Sequence, residues 1–170
     1  MPQLLERIPG AVDPANGLLR AEHFQMAYVT TDPDRACDLL TRQLGIRKFT
    51  PLGGPTPEGG TMDARFAWVG TLMYEVIHAT GPGSGVFMDR LEGVDGFAIR
   101  HHHLGFLVHE RAHFDGALAV AKANGWDVPW TSSNPLVDAC FVQVPGFAHF
   151  LEYLLPTEMG MGFFNSVPRT

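Results

Sequence analysis

Gln25–Asp32 reads QMAYVTTD and His103–Glu110 reads HLGFLVHE. Each is a polar residue, an apolar run and an acidic residue seven places on, and the two copies stand 78 residues apart. A helical pattern follows each. Asp34–Leu44 places Ala36, Leu39, Leu40 and Leu44 on one face, and Phe114–Ala123 does so with Leu118, Ala121 and their neighbours. Gly45 and Gly125 follow the helices, where a C-terminal cap wants positive φ.

Working outward, the later part of each copy matches too. Thr71–Thr80 reads TLMYEVIHAT and Ala148–Thr157 reads AHFLEYLLPT. Glu75 pairs with Glu152 and Thr80 with Thr157, both at an offset of 77 residues. One nearly constant register thus spans a strand, a helix and a last strand, the mark of an internal repeat. Each copy reads as β-α-β-β-β. The first has predicted strands at His23–Thr30, Arg47–Pro51, Asp63–Val69 and Leu72–His78. The second has them at His103–Val108, Asp127–Trp130, Ala139–Val144 and Phe150–Leu155. Gly53–Gly60 is a Gly/Pro-rich loop, and Gly81–Gly96 is a longer linker with a short helix at Val86–Leu91. The fold class is α+β: two tandem βαβββ modules forming an open, cleft-lining sheet barrel with flanking helices. The expected divisions are an arm (1–22), a first module (23–80), a linker (81–102), a second module (103–157) and a tail (158–170). The tail, apolar and Gly-rich from Gly160 on, is expected to pack over the cleft or against a partner subunit.

Composition narrows the classes. A chain that is 45% hydrophobic and 18% charged is globular rather than disordered. A net charge of −6 without a basic cluster argues against nucleic acid or anionic membrane as partners. Cys37 and Cys140 lack CxxC partners and read as reduced thiols. Met1–Arg20 has no basic segment leading into an apolar run, so a cytoplasmic location is expected.

Within the repeat, four polar residues occupy matched places. Glu75 in LMYEVI and Glu152 in HFLEYLL are mid-strand carboxylates among bulky apolar residues, costly unless paired or bound to metal. Gln25 and His103 hold the matching first-strand places. Singly, each has a bland reading as a solvent-facing or core residue. Related by the repeat, they form one site with an imidazole, an amide oxygen and two carboxylates. That hard donor set suits a divalent cation (Zn, Ni, Co, Mn or Fe) with two positions left open. Strand alternation puts His101 and His103 on one face and His102 on the other, and puts His23 beside Gln25. His23 and His101 are therefore the expected supporting or alternative ligands. His78, His109, His113 and His149 read as surface or structural.

The doubled unit with ligands on first and last strands resembles the vicinal-oxygen-chelate superfamily, which includes glyoxalase I, methylmalonyl-CoA epimerase, extradiol dioxygenases and bleomycin-resistance proteins. The resemblance covers His23–Thr157. Its ligand order, Gln25, Glu75, His103 and Glu152, is similar to glyoxalase I. The stretch YEVIHATGPGSGVFMDRLEGVDGFAIRHHHLGF is similar in linker style to the epimerase. The chain departs from epimerases in having Gln25 and Glu75 where they usually carry His and Gln. It departs from extradiol dioxygenases by having Gln25 at their first His.

The resemblance implies a metal-dependent lyase or isomerase. In such an enzyme the metal stabilises an enediolate or enolate, and Glu152, with Glu75 beside it, moves the proton. Asp63 is a weaker second base, more readily a surface residue. Phe66, Trp68, Met73, Phe106, Phe141 and Phe150 on strands are expected to line or fill the cleft. Met88, Phe97, Met159, Met161, Phe163 and Phe164, on linker or tail, join them. Together they suit an apolar or aromatic small-molecule substrate. Arg65 and Arg100 are candidates for a substrate carboxylate, with surface roles favoured. Two other readings stand beside the first: a ring-cleaving dioxygenase of extradiol type, and a metal-free small-molecule-binding protein of the bleomycin-resistance sort. The family resemblance also implies a homodimer.

Overall fold

Each half of the chain lays down a strand, a helix and three more strands. In the first half these are β1 (Glu22–Thr30), α1 (Pro33–Leu44), β2 (Thr50–Pro55), β3 (Thr61–Val69) and β4 (Leu72–Thr80). A linker carries α2 (Gly85–Met88), which continues as a 3-10 turn over Asp89–Leu91. The second half supplies β5 (Ile99–Leu107), α3 (Arg111–Ala123), β6 (Asp127–Ser133), β7 (Val137–Gln143) and β8 (Phe150–Pro156). A last helix, α4 (Glu158–Ser166), follows. The computed structural model describes residues 10–170. The first nine residues of the expected arm, and that part of the Met1–Arg20 reading, lie outside the described residues.

The strands form one curled half-barrel sheet in the order β2-β3-β4-β1-β5-β8-β7-β6. The repeat is visible in that order. β1 runs parallel to β4 and β5 parallel to β8, while β1 and β5 meet antiparallel at the centre. The mixed sheet therefore places the first and last strands of both copies side by side.

Local chemistry sets the helix ends. The Asp32 side chain accepts from the Arg35 amide at 2.9 Å, Pro33 stands at the first helical position, and Gly45 closes α1 at φ 79°. The helices cover the convex face. Ala36 and Leu40 of α1 pack on Ile46, Ala67 and Val76, and Phe114, Ala117 and Ala121 of α3 pack on Phe106, Leu151 and Tyr153. Leu44, expected on the same face, is 66% exposed, because it belongs to the last turn before Gly45. The concave face is filled from both ends. Phe87 and Leu91 of the linker pack on Ile77, Phe141 and Phe150, while Phe164 and Val167 pack on Phe24, Trp68, Met73 and Leu154. Each such aromatic or aliphatic side chain contributes about 1.5–3 kcal/mol by burial.

Several boundaries differ from the sequence expectation. β2 is displaced from Arg47–Pro51 to Thr50–Pro55 and runs into the Gly/Pro-rich stretch, since as an edge strand pairing only with β3 it tolerates Pro51 and Pro55. β5 begins four residues early, at Ile99, because Ile99–His101 already pair with Val29–Thr30 and Tyr28 of β1. The tail is a helix, with the Thr157 hydroxyl accepting from the Gly160 amide at 3.1 Å as its cap, and it packs onto the concave face. Among the described residues, no helix is long and apolar enough to cross a membrane.

The central strand pair carries two bulges. On β1, His23 pairs with Phe106 and Gln25 with Gly105, so Phe24 is the extra residue. On β5, His103 pairs with Ala27 and His101 with Tyr28, so His102 is the extra residue. Each bulge immediately precedes a predicted ligand, and the repeat relates one to the other.

Candidate functional site

Two adjacent rungs of the ladder bring the four residues together. In one, Gln25 lies opposite Gly105, which pairs in turn with Glu152. In the other, Glu75 pairs with Ala27, which lies opposite His103. All four side chains belong to the concave face and are nearly sealed from solvent: Gln25 is 2% exposed, Glu75 7%, His103 1% and Glu152 6%.

Across the central strand pair, Gln25 and His103 therefore each face a small residue of the other copy. Ala27 stands two places after Gln25, and Gly105 two places after His103. The space matters most at Gly105, where a Cβ would sit 2.5 Å from Gln25 Oε1 and 2.8 Å from Gln25 Cβ. Gly105 is a member of the site that the sequence reading missed. Its position, matching Ala27 under the repeat, was the available signal.

At the centre, His103 Nε2 lies 3.0 Å from Glu152 Oε2 and 3.4 Å from Glu75 Oε2. The distances are short, yet the alignment of a hydrogen bond is missing. His103 Nε2, Glu152 Oε2 and Gln25 Oε1 are all buried without a hydrogen-bond partner. Such atoms are rare in folded proteins and demand an explanation. Three of them converging in one cluster are what a ligand-binding centre presents to its ligand.

His102 explains how His103 is aimed. The bulge turns His102 to the same side as His103, overturning the alternation that set them on opposite faces. Its ring is fully buried among Phe87, Phe141 and Phe150. His102 Nε2 is 3.0 Å from the Val86 carbonyl, and His102 Nδ1 is 2.8 Å from His103 Nδ1. A carbonyl only accepts, so Nε2 carries the hydrogen. Burial, reinforced by the charge of His103, drives the pKa of His102 down to about 2, so its Nδ1 is bare. His103 Nδ1–H therefore donates to it, and His103 Nε2 points at the carboxylates.

The charges are tightly coupled. Burial opposes a proton on His103, but the carboxylates of Glu152 and Glu75 outweigh it and hold its pKa up to about 9. Burial raises the pKa of Glu75, with His103 acting in the opposite sense.

Other sequence candidates lie elsewhere. His23 and His101, expected beside the ligands, are swung to the convex side by the bulges. His23 packs tilted on Phe106 at 5.2 Å and His101 on Tyr28 at 5.8 Å, and their ring Nε2 atoms bond the backbone oxygens of Gln25 and His103, two places on. Phe106 and Phe97, expected at the cleft, pack instead under α3 and α1 on the convex side. Met159 is 63% exposed. Asp63 and Arg65 also face the convex side, where Arg65 bonds Asp63 at 2.8 Å and Asp34 at 2.7 Å, tying β3 to α1. Phe66, Trp68, Met73, Phe141 and Phe150 do line the concave face. Phe141 stacks on Phe150 at 5.3 Å and on Trp130 at 4.5 Å, forming an aromatic wall beside His103.

The chemistry of the donors fits a hard divalent cation, which would displace the His103 Nε2 proton: one imidazole nitrogen directed inward, an amide oxygen without a hydrogen bond and two buried carboxylates. Among the described residues, no group of three or more His, Cys, Asp and Glu side chains is arranged to hold an ion as it stands. The Gln25 amide is not of those types, and the close His–carboxylate pairing draws the others onto each other.

No family model matches the chain, and no curated protein matches it significantly in sequence. Solved structures do match. Methylmalonyl-CoA epimerase from Mycobacterium tuberculosis aligns at TM-score 0.55 and 12% identity, over 83% of this chain and 91% of that one. A single-residue variant of Streptomyces coelicolor methylmalonyl-CoA epimerase, in complex with 2-nitronate-propionyl-CoA, aligns at TM-score 0.57 and 12% identity, over 81% and 96%. A methylmalonyl-CoA epimerase in complex with methylmalonyl-CoA and NH4+ gives the same values, TM-score 0.57, 12% identity, 81% and 96%. The chain thus has the vicinal-oxygen-chelate fold that its sequence resembled.

Proposed function

We propose that this chain is an enzyme that holds a divalent cation with Gln25, Glu75, His103 and Glu152. On this reading it moves a proton at a substrate carbon beside two neighbouring oxygens, as a lyase or isomerase of glyoxalase or epimerase type. The observation that supports it best is the set of three buried polar atoms without a hydrogen bond, Gln25 Oε1, His103 Nε2 and Glu152 Oε2, at residues related by the repeat. A bound cation supplies Lewis-acid stabilisation for negative charge developing on the substrate oxygens. The residues do the rest. Glu152 takes the proton and returns it, a role worth about 10²–10⁴-fold in rate. Glu75, its basicity raised by burial, is placed to act on the other side of His103. The wall of Phe141, Phe150 and Trp130 excludes water, which strengthens each electrostatic contact. Gln25 in place of a first-strand His disfavours the dioxygenase reading.

The test begins with elemental analysis of purified protein, where about one divalent ion per chain is expected. Methylmalonyl-CoA, the molecule bound in one of the similar structures, is the first substrate to try, with deuterium entry from solvent as the readout. Glu152→Gln should abolish that exchange while leaving the folded spectrum intact. Exchange at the unaltered rate in this variant rejects the mechanism. A second reading, metal-free binding of a small hydrophobe, draws support from the close approach of His103 to Glu152 and Glu75, which balances buried charge without an ion. Protein devoid of metal, and unable to take it up, would establish that reading instead.

A further inference from the structure

Away from the four clustered residues, two recesses carry basic side chains. One, of about 410 Å³, is lined by Cys37, Thr41, Arg47, Lys48, Asp63 and Arg65 among others, and its Arg65 is already bound to Asp63 and Asp34. The other, of about 390 Å³, lies where the linker turn meets the starts of β5 and β8, and is lined by Arg90, Arg100, His101 and Ala148. It differs in one respect: Asp63 lines the first recess, whereas no carboxylate lines this one. Among the described residues, no carboxylate lies within ion-pair distance of Arg90 or Arg100.

The donors there are built in and only partly used. The Arg90 guanidinium donates to the Ala148 carbonyl and lies 4.4 Å above the Phe150 ring, which fixes its plane. Its Nε is buried without a partner. His149 stands against His101 with ring centroids 4.9 Å apart, and its Nε2 is likewise buried without a partner. Among the described residues, the Arg100 side chain bonds only its neighbouring carbonyl, that of Ile99 at 3.0 Å. Burial, with the charge of Arg90 adding to it, lowers the pKa of His149, and burial lowers that of Arg90. Grouping basic residues this closely, with the buried Arg90 Nε–H idle, costs free energy in a chain whose net charge is −6. An oxyanion offsets that cost, because a carboxylate or phosphate accepts from a guanidinium fork in two places and neutralises the repulsion.

We propose that this recess is an anion-binding site for a carboxylate or phosphate group, with Arg90 and Arg100 as its charged donors and the His149 ring, packed on His101 of the lining, beside them. Arg90 stacks on Phe150, and Phe150 is the ladder partner of His103. The recess therefore adjoins the outer end of the strand pair that carries His103 and Glu152, without using either.

The experiment titrates full-length protein separately with inorganic phosphate and with acetate, followed by calorimetry and by the ring resonances of His149. Saturable binding of one or both is expected, with His149 shifting along the same curve. Phosphate alone marks a phosphoryl ligand and acetate alone a carboxylate. Arg90→Gln and Arg100→Gln should each weaken binding at least about tenfold. Arg47→Gln, in the other recess, should leave it unchanged. Arg100 is exposed, so its variant keeps the test decisive even if Arg90→Gln misfolds. No saturable binding of either anion, or binding indifferent to Arg100→Gln, overturns the proposal. Metal content plays no part in the readout, so this result and the test of the cation reading stand apart.

Discussion

Replacing His102 by Phe tests the arrangement of the site most directly. The substitution keeps an aromatic ring of similar size among Phe87, Phe141 and Phe150, so packing changes little. What it removes is polar. The Val86 carbonyl loses its donor at 3.0 Å, and His103 Nδ1 loses its acceptor at 2.8 Å. Each becomes a buried group without a partner, at about 1–3 kcal/mol apiece, so the variant should be about 2–6 kcal/mol less stable. That is a large part of the roughly 5–15 kcal/mol typical of a domain. Urea unfolding at fixed pH measures it, with the slope checked for constancy. A second readout separates orientation from mere stability: nitrogen chemical shifts of the His103 ring, followed as pH rises above its pKa of about 9, should show the remaining hydrogen on Nδ1 in the unaltered protein and a mixture in His102→Phe. Added divalent metal should bind about 10–100-fold more weakly. His102→Gln can offer a donor and an acceptor from one side chain and should recover much of the loss. If His102→Phe unfolds within about 0.5 kcal/mol of the unaltered protein and leaves the His103 ring signals in place, the described tautomer chain is wrong.

Three further predictions rest on separate features. Gly105→Ala pushes a methyl against Gln25, whose Oε1 and Cβ lie 2.5 Å and 2.8 Å from the new atom, and should cost about 1–3 kcal/mol in urea unfolding. Its effect should shrink when Gln25 is also shortened to Ala. Cys140 is fully buried with its thiol pushed up to about 12, mainly by burial, so a thiol reagent at mildly alkaline pH should label only half-buried Cys37 until denaturant is added. Thr157→Ala removes the α4 cap and its bond to the Pro135 carbonyl at 2.7 Å, and should lower stability by about 1 kcal/mol without altering binding at the four clustered residues.

What could be read from the sequence, and what could not, follows from the physics of each signal. The repeat was legible because two copies of one unit share a register, and a register survives low identity. It carried the eight strands, the helices α1 and α3, and the choice of Gln25, Glu75, His103 and Glu152. The faces of the histidine run were not legible. Alternation assumes an unbroken ladder, and a bulge inserts one residue that no side-chain pattern announces. For the same reason the expected helpers His23 and His101 point away and His102 takes their place. β2 slipped toward its Gly/Pro-rich end because an edge strand needs only one ladder partner. The unpartnered nitrogens of Arg90 and His149 come from segments far apart in sequence, and only the folded chain brings them to one region.

The Val86–His102 contact has a consequence for access. Val86 belongs to α2, which with Phe87 and Leu91 covers one end of the concave face. The four clustered side chains are nearly sealed, so on the proposed reading a substrate would reach them only when some cover moved. If α2 is that cover, its departure also takes away the carbonyl that fixes the His102 ring. Entry and aim would then be linked: the protein could not open this door without loosening His103, and could not tighten His103 without shutting it. A two-stroke cycle of that kind would admit substrate to a slack site and make the site taut only once the linker had closed behind it.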